Sequence, residues 1–267
     1  MATSPMITVI TAAVRKAARG IVRDFGEVDK LQISKKGVAD FVTNADVRTD
    51  KILIEELQRA RPKFGFLTEE SGLIPGGDDN LRFVIDPIDG TTNFIHAIPY
   101  ISVSVAAQQR GADGSWHTTA GVVYDPIHDE MFWAEFNGGA FMNNQRLRVS
   151  NRREDLLLAT SSPRKRRDGF AETMRAYERV VDSGATVRCS GSAALDLAYV
   201  ASGRLDGIWY QRLNSWDMLA GVLLITEAGG KVTAVDASPI MTDGTGSVLA
   251  TNGPIHGLLK GLLAAAA

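Results

Sequence analysis

Between residues 4 and 25 the apolar positions Ile7, Ile10, Val14, Ala17, Ala18, Ile21 and Val22 recur at steps of three and four. This spacing predicts a helix with one buried stripe, and Gly26 is its predicted stop. A second helix is predicted from Asn44 toward Arg61, capped by Asn44 or Asp46 and closed before Pro62. From Leu81 the pattern changes to strands, predicted over 82–85, 98–108, 120–124, 130–136 and 140–149. Asp125-Pro126, Gly138-Gly139 and Asn143-Asn144 are the turn signals among the later ones, and the alternation predicts an antiparallel sheet packed on helices. The rest of the chain alternates. Strands are predicted over 156–160, 186–188, 205–210, 231–235 and 248–251, helices over 169–181, 193–202 and 216–228, and a further helix at the end. The result is a layered mixed α/β arrangement.

No Pro/Gly/Ser-rich linker interrupts this pattern, so residues 1–267 are expected to form a single catalytic unit. Its approximate halves, 1–150 and 151–267, should share an interface, where small-molecule sites commonly lie. Of the 267 residues 45% are hydrophobic, and 29 Lys+Arg against 31 Asp+Glu leave a net charge of −2. That balance argues against nucleic acid or an anionic membrane as the main partner. Arg164-Lys165-Arg166-Arg167, the one basic cluster, reads as a solvated loop. A single cysteine, Cys189, excludes an internal disulfide and a multi-cysteine zinc site, and the four histidines offer no ligand pair at helical spacing. No apolar run approaches the roughly 18 residues of a membrane span. A reducing, cytoplasmic location is expected.

The segment Phe83-Val84-Ile85-Asp86-Pro87-Ile88-Asp89-Gly90-Thr91-Thr92-Asn93-Phe94 carries the most chemistry. An apolar strand ends in carboxylates, a glycine and hydroxyls, and the fixed φ of Pro87 stiffens the turn so that Asp86 and Asp89 can converge. Rigid hard-oxygen ligands suit magnesium, and the carbonyl of Ile88 offers a further oxygen. The amides of Gly90, Thr91 and Thr92 can open a short helix whose positive end receives a phosphate. Taken alone, this stretch also fits a hairpin turn in which Asp caps backbone amides. Two more acidic segments weigh against that bland reading: Thr68-Glu69-Glu70-Ser71 after an apolar run, and Trp216-Asp217 at the first turn of an apolar helix.

Asp86-Pro87-Ile88-Asp89-Gly90-Thr91-Thr92-Asn93-Phe94 together with Trp216-Asp217 resembles the inositol monophosphatase family. The resemblance spans nearly the whole chain. Asp40 to Asp46 is similar to the family's first segment and Glu69-Glu70-Ser71 to its second. Gly121 to Tyr124, Gly191-Ser192-Ala193-Ala194 and Thr226 to Gly230 continue it. It implies a layered α/β/α/β/α sandwich of the inositol monophosphatase and fructose-1,6-bisphosphatase type, with a magnesium-dependent, lithium-sensitive phosphomonoesterase activity. Glu69, Asp86 and the Ile88 carbonyl would hold one ion, and Asp86, Asp89 and Asp217 a second. The resemblance also implies a weaker third ion near Glu69. Water oriented by Glu69 and Thr91 would attack phosphorus in line, and Asp46, placed at a helix start, would hydrogen-bond the Thr91 hydroxyl. Lys35 or Lys36 could lean on the carboxylates.

For the substrate the resemblance implies contacts from Asp89, Gly90, Thr91, Gly191, Ser192, Ala193 and Asp217. It also implies a glutamate at a position that here is Tyr210. A tyrosine lacks the charged acceptor, which puts a preference for inositol 1-phosphate in doubt. Leu219 likewise stands where the family carries a small residue. Histidinol phosphate, fructose 1,6-bisphosphate and 3′-phosphoadenosine-type nucleotides are the neighbouring substrate expectations. A different class, a partner of transcription or ribosome-assembly machinery, is expected from some family relatives, and a homodimer from most. Gly-x-Ser-x-Gly, Walker-type and Gly-x-Gly-x-x-Gly signatures are absent.

Overall fold

The computed structural model describes residues 4–31, 35–163 and 170–264, and the side chains of these except 28–43. The helices α1 (Pro5–Leu31) and α2 (Lys35–Ala60) lie against one face of an eight-stranded sheet. The stripe Ile7, Ile10, Val14, Ala17, Ile21 is buried as its spacing predicts, while Val22 stays 47% exposed. The helix boundaries differ from expectation. Gly26 keeps a helical backbone instead of the left-handed φ of a C-cap, and a Cβ there would meet open space, so nothing forces a stop. α2 begins well before Asn44, so neither Asn44 nor Asp46 caps it, and Asp46 sits inside the helix.

The first sheet runs β2-β1-β3-β4-β5-β6-β7-β8: β1 (Gly65–Thr68), β2 (Gly72–Ile74), β3 (Leu81–Asp89), β4 (Ser102–Arg110), β5 (Trp116–Asp125), β6 (Glu130–Glu135), β7 (Gly139–Met142) and β8 (Gln145–Arg146). Its pairs are antiparallel except β1 with β3. The strand expected over 98–108 starts only at Ser102. Ile98 to Ile101 form the connection after the short α3 (Thr91–Ile95), with Tyr100 N–H donating to the Ile98 carbonyl at 2.8 Å. The strand expected over 140–149 splits into β7 and β8 because Asn143 takes a φ of 51° and turns the chain.

A second sheet runs β10-β9-β11-β13-β12: β9 (Leu157–Thr160), β10 (Thr186–Arg188), β11 (Gly207–Asn214), β12 (Lys231–Thr233) and β13 (Thr245–Thr251). Between the sheets lie α5 (Ala193–Ala201) and α6 (Ser215–Glu227), apolar nearly all round as two-sided burial requires. The layers meet closely. A Cβ on Gly221 would stand 2.4 Å from the Leu197 Cβ, and one on Gly121 would stand 2.9 Å from the Ala220 Cα. On the outer face, α4 (Phe170–Asp182) and α7 (His256–Ala264) bury Ala176, Val180, Leu259 and Leu263 with Trp209 and Leu249. The order is α/β/α/β/α, the layered mixed sandwich expected. No helix among the described residues is long and apolar enough to cross a membrane.

Candidate active site

The site starts from an irregularity in β3. Asp86 pairs with Ser104 and Asp89 with Ser102, so Pro87 and Ile88 together oppose the single residue Val103. In a regular strand, side chains three apart point to opposite faces. The bulge corrects this and turns both carboxylates to one side, and it is also where a proline fits inside a central strand. The Asp86 Oδ1 accepts the Ile88 N–H at 3.0 Å. Gly90 then turns the chain at φ 98°, where a Cβ would lie 3.0 Å from the Tyr100 carbonyl, and α3 begins. The first N–H groups of α3 have no intrahelical acceptor. The Thr91 hydroxyl donates to the Ile88 carbonyl at 3.3 Å and not to Asp46.

Each of the three aspartates has one oxygen held by the protein. Asp89 Oδ2 accepts the Ser192 hydroxyl at 2.6 Å and the Ala194 N–H at 2.7 Å. Asp217, in the first turn of α6, accepts the Asn214 N–H on Oδ2 at 2.8 Å. The capping role and the site role are thus compatible: one oxygen caps, the other faces the site. Glu69 and Asp217 stand close enough to Asp86 for their charges to raise it. A divalent cation among such carboxylates relieves their repulsion.

As placed, no group of three or more His, Cys, Asp or Glu side chains among the described residues is close enough together to hold a metal ion. Their chemistry nevertheless fits a hard divalent cation: all donors are oxygen, and no Lys or Arg among the described residues pairs with Glu69, Asp86, Asp89 or Asp217. The side chains of Lys35 and Lys36 lie outside the described residues. Burial raises every one of these carboxyls, and at Glu69, Asp86 and Asp89 the neighbouring charges add to it: Asp86 stands well above the usual range, and Asp89 is pushed up with Asp217 beside it. Asp46 rises to about 8, first through burial and then through Glu70, Glu69 and Asp50. Asp50, whose Oδ2 accepts the Thr68 and Ser71 hydroxyls, supports the turn that carries Glu69.

A cleft of about 360 Å³ opens beside Asp89 and Asp217. Gly191, Ala193 and Tyr210 line it, while Ser192 is buried behind Asp89. Gly191, at φ 95°, leaves room for the Asn93 amide, which a Cβ would approach to 2.8 Å. Tyr210 is in place, but its hydroxyl is committed. It donates to Asp196 Oδ2 at 2.6 Å, while Tyr100 donates to Asp196 Oδ1 at 2.6 Å. The tyrosine therefore presents its ring to the cleft, with its donor already used. Sequence reasoning passed over Asp196, Tyr100, Asn93 and the Thr160-Ser161-Ser162 wall. A lone acid in the apolar helix Ala193–Ala201 was the available signal for Asp196, and the others follow only from the fold. Cys189 lines the cleft, His96 is exposed at the end of α3, and Arg164 to Arg167 lie outside the described residues.

Residues 2–267 match the model of the inositol monophosphatase family. The chain is 48% identical over 247 residues to an inositol-1-monophosphatase of Caulobacter vibrioides, covering 91% of this chain and 95% of the relative. It is 39% identical over 236 residues to the Nus factor SuhB of Haemophilus influenzae, covering 88% and 86%. Among solved structures it is similar to the extragenic suppressor protein SuhB of Bartonella henselae, with a TM-score of 0.86, 45% identity and coverage of 97% and 98%. An inositol monophosphatase from Anabaena matches with a TM-score of 0.81, 36% identity and coverage of 97% and 95%. Fold and site define a phosphatase of layered α/β build. The chain belongs to the inositol monophosphatase family.

Proposed function

We propose that the chain hydrolyses a small polyol monophosphate, inositol 1-phosphate or a close relative, with two to three magnesium ions as cofactor. The observation that carries the reading is the bulge in β3, which turns Asp86 and Asp89 to one side next to Asp217 and a cleft of about 360 Å³. Glu69, Asp86 and the Ile88 carbonyl would hold one ion, and Asp86, Asp89 and Asp217 another. When bound, these cations neutralise the carboxylates and the phosphate and make water nucleophilic at neutral pH. Glu69, raised by burial, accepts a proton from the attacking water. The Thr91 hydroxyl, anchored on the Ile88 carbonyl, keeps its lone pairs to orient that water. The free N–H groups at the start of α3 receive phosphate oxygens. Ser161 and Ser162 supply hydroxyls to the wall of the cleft that would take the alcohol half, the Thr160 hydroxyl being committed to the Trp209 carbonyl, and Tyr210 with Leu213 forms its apolar wall.

Phosphate release from inositol 1-phosphate, histidinol phosphate, fructose 1,6-bisphosphate and adenosine 3′,5′-bisphosphate, each with magnesium and with chelator, tests this. Turnover of inositol 1-phosphate that chelator stops is the expected result. Turnover that survives chelation would overturn the metal roles, and a clear preference for one of the others would overturn the substrate. Relatives named Nus factor SuhB support a second reading, a partner role in transcription. Retention of transcription factors by an Asp89→Asn variant that turns nothing over would favour it.

A further inference from the structure

Asp217 is tied to the start of β3 by a chain of hydrogen bonds. Arg82 stands at the start of β3 with its side chain only 8% exposed, its guanidinium carbon 4.1 Å from the centre of the Trp116 ring. Its Nε donates to Gln108 Oε1 at 2.8 Å, and Nη2 donates to Asp243 Oδ1 at 3.1 Å and to the Thr242 carbonyl at 3.4 Å. Gln108 Nε2 donates to that same carbonyl at 3.0 Å. Two neighbouring strands of the first sheet thus clamp a turn that belongs to the second half of the chain. Asp243 Oδ1 closes the turn by accepting the Gly244 N–H at 3.1 Å.

The far side of the turn grips the start of α6. The Gly244 carbonyl accepts the Ser215 N–H at 2.8 Å, and the Thr245 hydroxyl donates to Asn214 Oδ1 at 2.9 Å. Asn214 is the residue whose N–H holds Asp217 Oδ2. A guanidinium fixes direction as well as distance, because its donors lie in one rigid plane.

We propose that Arg82 is a positioning residue for Asp217: through the 242–245 turn it sets the register of the α6 start and so the aim of the free carboxylate oxygen. The inference rests on the reading of Asp217 as a metal ligand. It assigns a role in metal affinity to a side chain that touches neither metal nor substrate.

The test is a double-mutant cycle on the full chain. Arg82→Lys, Arg82→Met and Asp243→Asn are made in the native and Asp217→Asn backgrounds, and Mn²⁺ affinity is read by calorimetry alongside the magnesium dependence of phosphate release. Arg82→Met is expected to weaken Mn²⁺ binding about three- to ten-fold, with smaller losses in Arg82→Lys and Asp243→Asn and less than about a two-fold change in kcat at saturating magnesium. In the Asp217→Asn background the same changes should add less than about two-fold. Equal losses in both backgrounds, or unchanged affinity in folded Arg82→Met, would overturn the proposal. Should Arg82→Met fail to fold, Asp243→Asn decides, since Asp243 is 58% exposed. Native-like metal affinity in Asp217→Asn alone would remove the underlying ligand assignment, an outcome separate from the Arg82 comparison.

Discussion

A carboxylate that must hold a cation needs one oxygen fixed and one free, and Asp86, Asp89 and Asp217 each have the first from a backbone or hydroxyl donor. Asp86 feels the charges of both Glu69 and Asp217 and belongs to both proposed metal positions, so its replacement touches both. Asp86→Asn is expected to lower phosphate release at saturating magnesium by at least about 10²-fold, measured in the standard phosphate assay with the folded variant confirmed by circular dichroism. Retention of most activity would withdraw the assignment. Tyr210 gives the second residue-scale expectation. Asp196 is fully buried and raised to about 6 by that burial, with the Tyr100 and Tyr210 hydroxyls pulling it down. Tyr210→Phe removes one of those donors, so Asp196 rises further. Its folded value being above the unfolded one, the stability it contributes is present at low pH and lost as pH climbs through the folded value. The variant carries that loss to higher pH than the native chain. Chemical denaturation should show a deficit of about 1–3 kcal/mol that is larger at pH 8 than at pH 5.5. A deficit that shrinks with rising pH would contradict the account.

At the scale of elements, position is set by contacts that local pattern encodes unevenly. The buried stripe of α1 was legible because a helix packed on a sheet must repeat its apolar residues at three and four. Its end was not, because Gly26 faces open space and only the tertiary layers decide how far the helix runs. The acidic segments were legible as a site because capping alone does not call for so many acids at strand and helix ends. The bulge that aligns Asp86 with Asp89 was only half visible: Pro87 marks an interruption, but the pairing with Val103 that defines it comes from a strand further along the chain. Tyr210 could be placed on a strand near the site, yet its hydroxyl's commitment to Asp196 depends on α5 lying against β11. That layer offers a direct check. α5 and α6 approach so closely that a methyl on Gly221 would meet Leu197 at 2.4 Å. Gly221→Ala is expected to cost about 1–3 kcal/mol in denaturant unfolding. A neutral or stabilising effect would mean that the helices separate more easily than their contacts indicate.

For the molecule as a whole, the site is a store of unfavourable charge placed where the layers meet. Burial raises Asp46, Asp50, Glu69, Asp86, Asp89 and Asp217, and the neighbouring carboxylates raise Asp46, Glu69, Asp86 and Asp89 further, with Asp46 near 8 and Asp217 near 6. Unfolded carboxyls titrate near 4, so between about pH 4 and pH 8 these groups bind more protons in the folded, metal-free chain than in the unfolded one. Stability contributed by these groups is therefore full at the acid end and declines as pH rises through that window. Carboxyls that salt bridges hold low, such as Glu130 with Arg204, act in the opposite sense, so the total stability curve mixes both signs. The difference made by magnesium isolates the site. A cation replaces protons among the same oxygens, competes poorly with them at pH 5.5 and well at pH 8. With magnesium about 100-fold above its dissociation constant, the stabilisation of about 2.7 kcal/mol corresponds to a rise in Tm of about 5–10 °C at pH 8, and less at pH 5.5. Differential scanning calorimetry with magnesium and with EDTA at the two pH values reads this directly. Equal shifts, or a larger one at pH 5.5, would mean that the ions bind away from the raised carboxyls. The expected pattern would tie folding stability and cofactor binding to one cluster of oxygens.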